Sequence, residues 1–395
     1  MSYRRLFFVN QIGPNVSSSI GRLAGLEGFT RAILVGVVPL IAFKVFGSKD
    51  AVATVYFLST VFTLLFTLNI QLLEKLFNRR GLVTLAGGLL VLTIIFYYSE
   101  ITPLFTIGIG IQAAGASIFS VCISLYVMDY IGKTELTKAE SKRMLYAGAA
   151  WLIGPTLGSW LLDNGLGELL YLIAGLSALG MIIYFWWLRL GDDAVIKAAT
   201  SQSANPLRAV IRFWKQPNLR IAYLITTSRA CYWVTLFVYG PIYVVEAGLP
   251  TWVGGLLLSG ASGFLFLSPV IQRLATHFGT RQVLISCLVL IGLSLVALGL
   301  IGEAKPIGIT FFVTAAVGGA SMDVLGNIPF MRMVKPRERV AMTTVFTTWR
   351  ESSSLLTQAL VFLTLLVAPF WVFYLILALL QFLTAIAATF LPKRI

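Results

Sequence analysis

The sequence predicts an all-α membrane protein: twelve transmembrane helices in two six-helix, pseudo-symmetric bundles. Three observations predict it. The chain is 58% hydrophobic and only 12% charged, with a mean hydropathy of +0.87, whereas soluble domains carry about 25% charged residues. The apolar residues fall in long runs, each near the ~20 residues a helix needs to cross the hydrocarbon core. A single long polar stretch, 191–218, divides the 395 residues near their midpoint.

Backbone groups in lipid must satisfy one another, so the spans are helices. In chain order they are expected at 23–46, 51–72, 81–98, 102–130, 144–162 and 168–190, then at 219–247, 251–275, 281–301, 306–331, 341–367 and 370–391. The first six make an N-terminal bundle within 1–190, and the last six a C-terminal bundle within 219–395. Residues 191–218 form a cytoplasmic linker between them.

Charge orients the spans. With both termini and the even-numbered connections on one side, that side holds 24 of the 30 lysines and arginines. The other side holds Lys44, Lys49 and Lys305, and three arginines stay inside spans. The positive-inside rule makes the basic side cytoplasmic. The expectation is a multi-pass protein of the cell's inner (plasma) membrane with both termini in the cytoplasm. The net charge of +14 does not imply a nucleic-acid partner, because its carriers sit in short breaks between apolar runs rather than on one soluble face.

Other composition signals narrow the chemistry. Cys122, Cys231 and Cys287 all lie in apolar runs without CxxC spacing, so neither a disulfide framework nor a metal site is expected. The first 20 residues lack a long apolar core and cleavage site, so no cleaved signal peptide is expected. No GxxxxGK[ST] loop occurs, so the chain has no ATP motor of its own. No cofactor is expected.

The layout of six spans, linker and six spans suggests a duplication, an architecture transporters use. Thr30-Arg31-Ala32 in the first span matches Ser228-Arg229-Ala230 in the seventh, and Ala149-Ala150-Trp151 in the fifth matches Thr347-Thr348-Trp349 in the eleventh. The loop after the second span ends in Arg79-Arg80, with Asn78 before them and Lys75-Leu76 further upstream. Its second-half counterpart runs Thr276-His277-Phe278-Gly279-Thr280-Arg281, and the fifth span carries Gly154-Pro155-Thr156-Leu157-Gly158. On these residues the chain resembles the major facilitator superfamily over essentially its whole length. Arg79, Arg80, Gly279 and Arg281 match the family's loop motif Gly-x-x-x-Asp-Arg-x-Gly-Arg-Arg, while Lys75 and Leu76 replace its Asp-Arg pair and Thr276 its second-half acid. Gly154, Pro155 and Gly158 are similar to the antiporter motif G-P-x-x-G-G, with Ser159 at the last glycine. The fourth span lacks the arginine that many drug–proton antiporters carry. The resemblance implies a secondary transporter working by alternating access, driven by protons or a counter-substrate.

Charges inside the hydrocarbon are expensive and therefore candidate functional groups. They are Arg229 in the seventh span, Asp323 in the tenth, and Arg350 with Glu351 in the eleventh. Neighbours on a helix point about 100° apart, so Arg350 and Glu351 cannot face one direction. One reading is direct substrate or proton coupling; the other is an ion-pair network that locks helices together. Arg31 and Arg229, from symmetric helices, would suit a phosphate or carboxylate, unless Glu27 cancels Arg31 at i,i+4. Tyr232, Trp233 and Trp349 flank these charges and suit an amphipathic ligand. Trp186 and Trp187 fit an interface belt.

The function expected is secondary transport of a small organic solute, with proton-coupled export of an amphipathic compound ahead of organic-anion exchange or uptake. A membrane enzyme is disfavoured by the single histidine, His277. A non-transporting receptor or assembly factor on the same scaffold is the remaining alternative. Expected partners are a small-molecule substrate, protons or a counter-substrate, and the lipid bilayer, with the protein a monomer.

Overall fold

A computed structural model describes residues 16–68, 77, 79–130, 136–188, 206–334, 342 and 345–392. Among these residues the regular structure is helical throughout. The helices are α1 (Val16–Val35), α2 (Val38–Phe46), α3 (Lys49–Leu68), α4 (Arg79–Tyr98), α5 (Thr102–Tyr130), α6 (Leu136–Asp163) and α7 (Gly167–Trp187). They continue as α8 (Pro206–Trp214), α9 (Pro217–Glu246), α10 (Thr251–Gly263), α11 (Ser268–Phe278), α12 (Thr280–Ile301), α13 (Gly308–Leu325), α14 (Ile328–Met333), α15 (Trp349–Val367) and α16 (Trp371–Ala388). A helix or helix pair lies over every predicted span, and among the described residues eight are both long and apolar enough to cross a membrane.

Three predicted spans are interrupted, each shortly before a proline. The first breaks at Gly36–Val37 ahead of Pro39, and the tenth at Gly326–Asn327 ahead of Pro329. The eighth tightens into a short 3₁₀ turn, Phe264–Leu267, ahead of Pro269. Proline lacks the N–H that would continue the ladder, so it is best placed in the first turn of a new helix. The eleventh span breaks differently. Thr348 turns its hydroxyl back to the Val345 carbonyl at 2.8 Å, and α15 restarts at Trp349. Arg350 and Glu351, expected near mid-helix, therefore occupy the first turn of α15.

The chain divides into two compact units, Met1–Ile41 with Leu58–Ser201, and Ala42–Phe57 with Gln202–Ile395. The predicted halves divide within 191–218; the structure adds that the α2–α3 connection, residues 42–57, packs with the second unit. Residues 191–205 of the predicted linker lie outside the described residues.

In the first unit α1 lies against α6 and α7, and α4 against α5 and α7. Glycine sets the closest approach. A Cβ on Gly154 would lie 2.7 Å from the Ala32 Cβ and 2.9 Å from the Ile33 nitrogen, and one on Gly158 would overlap the Ile33 carbonyl. The antiporter-like motif thus presses α6 onto the backbone of α1 at Ala32 and Ile33, immediately after Arg31. Pro155 sits inside α6 without interrupting it.

In the second unit α9 packs against α10, α13, α15 and α16, and α12 against α13 and α16. Buried polar side chains are tied across these contacts. The Tyr239 hydroxyl donates to Gln358 Oε1 at 2.6 Å, and Gln381 Nε2 donates to the Ser228 carbonyl at 2.8 Å. Phe213, Leu219, Phe330 and Phe346 close the end near α8 in an apolar cluster, with Phe330 and Phe346 stacked at 4.0 Å. On the outer surface Leu176, Ile183, Leu300 and Leu366 stand exposed, as expected of a protein whose solvent there is lipid.

A charged candidate site at a broken helix

The site begins with the tenth-span break. At its C-terminus α13 would continue through Gly326 and Asn327, but Pro329 stops it. The Met322 carbonyl there accepts from the Gly326 N–H at 2.7 Å. It also accepts from Arg229 Nη1, which reaches across from α9 at 3.0 Å. The same Nη1 meets Asp323 Oδ1 at 3.0 Å. Gly326 makes room for this grip: a Cβ there would lie 2.6 Å from the Met322 oxygen and 3.3 Å from Arg229 Nη1.

Burial is unequal across the pair. The Arg229 side chain is 4% exposed and that of Asp323 28%. The arginine is sealed, and the acid, though deep in the protein, keeps part of its side chain exposed. Trp349 covers the charge, its ring centroid 4.9 Å from the Arg229 guanidinium carbon and 5.4 Å from that of Arg350. Cation–π attraction of this kind grows when water is excluded. Trp233, one turn further along α9, lies beside the Asp323 carboxylate with its indole N–H within reach of it.

The structure therefore brings Arg229, Asp323, Trp233, Trp349 and Arg350 into one place. Asp323, not Glu351, pairs with Arg229. Arg350 acts electrostatically on both Asp323 and Glu351. Tyr232 faces away into packing: its buried hydroxyl donates to the Phe312 carbonyl at 2.7 Å. Below the site Tyr223 fixes the start of α15 through the hydroxyls of Thr348 at 3.0 Å and Ser352 at 2.7 Å.

In the first unit Arg31 is matched by Glu27, with Nε to Oε1 at 2.5 Å and Nη2 donating to Oε2 at 3.3 Å. Its guanidinium lies 5.7 Å from the Trp151 ring. The loop-motif residues Arg79 and Arg80 open α4, while Lys75, Leu76 and Asn78 lie outside the described residues. In the second-half copy Gly279 takes φ +89°, allowing the tight α11–α12 junction. Arg281 Nη1 donates to the carbonyls of Thr389 at 3.2 Å and Leu391 at 2.9 Å, and so caps the end of α16.

Sequence reasoning missed Gly326 and the ion pair Lys49–Glu246, 2.7 Å across the second unit, with Lys49 also 4.4 Å from the Phe370 ring. The cluster Gly326-Asn327-Ile328-Pro329 just after Asp323 was a readable signal for the first. No sequence signal joins Lys49 to a partner 197 residues away.

Similarity to known proteins agrees with this architecture. Among curated protein sequences none matches the chain. The solved structure of a POT family transporter in complex with thioalcohol-conjugated peptide superposes with a TM-score of 0.73 at 13% identity, covering 93% of this chain and 94% of that one. The nucleoside transporter NupG gives 0.73 at 14% identity, over 95% and 98%. A bacterial homologue of the iron transporter ferroportin, in an inward-facing state, gives 0.69 at 16% identity, over 95% and 97%. At such identities the likeness is one of fold. The sequence model of the Major Facilitator Superfamily matches residues 23–357. With that match over most of its length, and with this fold, the chain belongs to the Major Facilitator Superfamily and is a multi-pass membrane transporter rather than an enzyme.

Proposed function

We propose that the protein is a proton-coupled secondary transporter that exports a small amphipathic organic solute by alternating access. The observation that carries this reading is the unequal Arg229–Asp323 pair. Asp323 is the accessible member, so a proton or a ligand cation can reach it; Arg229 is sealed and responds to what Asp323 does. Protonating Asp323 removes the charge that holds Arg229 and leaves the guanidinium to the Met322 carbonyl and the Trp349 ring. Trp233 and Trp349 supply flat apolar walls beside the charge, which suits an amphipathic ligand. The break at Gly326–Asn327 gives α13 a place to bend as the pair opens, as discontinuous helices do in other transporters.

The organic-anion reading is less well supported. Arg31 and Arg229 each already hold a carboxylate, so an anion would have to displace both Glu27 and Asp323. The topology proposed is twelve spans in halves 1–190 and 219–395 about the linker 191–218, in the inner membrane with both termini cytoplasmic. The lopsided basic residues and the helices over each predicted span support it. The protein is proposed to act as a monomer.

The test has two steps. A thermal-shift screen of the purified protein against metabolites and drugs identifies a ligand, since a ligand of the folded state raises the melting temperature. Proteoliposomes carrying Asp323→Asn should then lose accumulation driven by a pH gradient while keeping ligand exchange without one. Undiminished pH-driven accumulation by Asp323→Asn would make the pair structural.

A further inference from the structure

A second polar cluster lies in the first unit, apart from the charged site. Arg22 near the start of α1 lines one groove together with Tyr146 on α6 and Tyr184 on α7, near enough for both phenols to bear on its guanidinium. From this cluster the open groove, of about 470 Å³, runs between the three helices, walled by Leu26, Phe29 and Ile153. Among the described residues Arg22 is the only charged one lining it, and Arg22 itself is exposed. Glu27 is not available to neutralise it, being engaged with Arg31.

We propose that this groove binds an anionic glycerophospholipid of the leaflet on the basic side of the membrane. Guanidinium and phenol donors together suit a phosphodiester, whose oxygens accept charge-assisted hydrogen bonds. The rest of the groove is apolar and opens along the protein surface, which suits an acyl chain and not a soluble anion. Its depth is also that of a headgroup. Tyr184 stacks on Trp187 at 5.8 Å, and Trp186 and Trp187 are 50% and 72% exposed at the end of α7. Exposed tryptophans at a helix end mark the lipid–water interface. Basic pockets between helices on that side are suited to anionic headgroups. The floor is shaped by Gly25, where a Cβ would already lie 3.2 Å from the Tyr146 Cβ. Gly25 thus keeps α1 and α6 close beneath the cluster.

The experiment uses the full chain in detergent, with dioleoylphosphatidylglycerol and dioleoylphosphatidylcholine titrated in and bound lipid counted by native mass spectrometry. The wild type should retain phosphatidylglycerol in preference to phosphatidylcholine. Arg22→Gln should weaken phosphatidylglycerol binding about five-fold, the contribution of one basic residue near an anionic surface, and leave phosphatidylcholine unchanged. Arg22→Lys should keep most of the preference. Ile153→Trp, which fills the groove and spares the charge, should lower retention of both lipids, and it serves as the test if Arg22→Gln does not fold. Equal retention of the two lipids by the wild type, full preference in Arg22→Gln, or undiminished retention in Ile153→Trp would each overturn the site. Displacement of the lipid by millimolar inorganic phosphate would also overturn it, in favour of a soluble anion.

Discussion

Replacing Asp323 by alanine should destabilise the protein more than replacing both members of its pair. The Arg229 side chain is 4% exposed, and among the described residues its other partners are the Met322 carbonyl at 3.0 Å and the Trp349 ring at 4.9 Å. A guanidinium does not shed its proton when stranded. Two unit charges about 4 Å apart gain about 4 kcal/mol at an effective dielectric of about 20, and truncating one member of a buried pair costs about 3–5 kcal/mol. The reverse truncation is milder, because Asp323 is 28% exposed against 4% for Arg229, and a stranded carboxylate can take up a proton where a guanidinium cannot shed one. Arg229→Met, which keeps much of the side-chain volume under Trp349, should therefore cost less than Asp323→Ala. The double variant should recover part of the loss, with a coupling energy of about 1–3 kcal/mol. The assay is reversible unfolding in mixed micelles, followed by circular dichroism, for the wild type and the three variants. Losses that add to within about 0.5 kcal/mol would refute the coupling, and an unaltered Asp323→Ala would refute the ion pair itself.

Three further outcomes follow from the packing and the charges. Gly158→Ala should cost about 1–3 kcal/mol by forcing α6 off the Ile33 carbonyl; Gly148→Ala on the same helix, with nothing within 4 Å of its Cβ, should instead gain about 0.5–1 kcal/mol, and equal melting temperatures for the two would contradict the close crossing. Lys49→Glu should lower the melting temperature by setting two acids together, and adding Glu246→Lys should restore it; the pair is partly exposed, so each change is worth only about 0–1 kcal/mol, and a swap that restores nothing would show the contact to be absent in solution. A reporter fused after Arg394 should be cytoplasmic and one inserted near Gly47 periplasmic, and the opposite labelling at either site would invert the orientation.

The architecture was legible because hydrocarbon leaves few options. Long apolar runs can only be helices, and the prolines at 39, 269 and 329 mark where three of them restart. The charged site was legible as a set: Arg229, Asp323, Arg350 and Trp349 stood out as polar or aromatic groups among apolar neighbours. Its wiring was not. Whether Arg229 meets Asp323 or Glu351 depends on the angle between α9 and α13, which no local pattern encodes. The eleventh-span break at Thr348 has no glycine or proline to announce it, so no local pattern marks it. Arg281 illustrates the converse. Its motif position was readable, but its bonds to the Thr389 and Leu391 carbonyls depend on a helix that ends 108 residues later.

The assignment of residues 42–57 to the second unit has a mechanical consequence. The chain passes between the units three times: after Ile41, before Leu58, and after Ser201. The first two passages run through α2 and α3, which are stiff rods rather than slack cord. Any motion that drew residues 42–57 away from the second unit would therefore have to break the contacts of this tip. The anchor includes Lys49, held by Glu246 and by the face of Phe370. Because that ion pair is partly hydrated, it yields before a helix does. Just upstream, the Gly36–Val37 break supplies the compliance that a continuous first helix would lack. The ease with which Lys49 lets go therefore bears on how firmly the tip is held to the second unit.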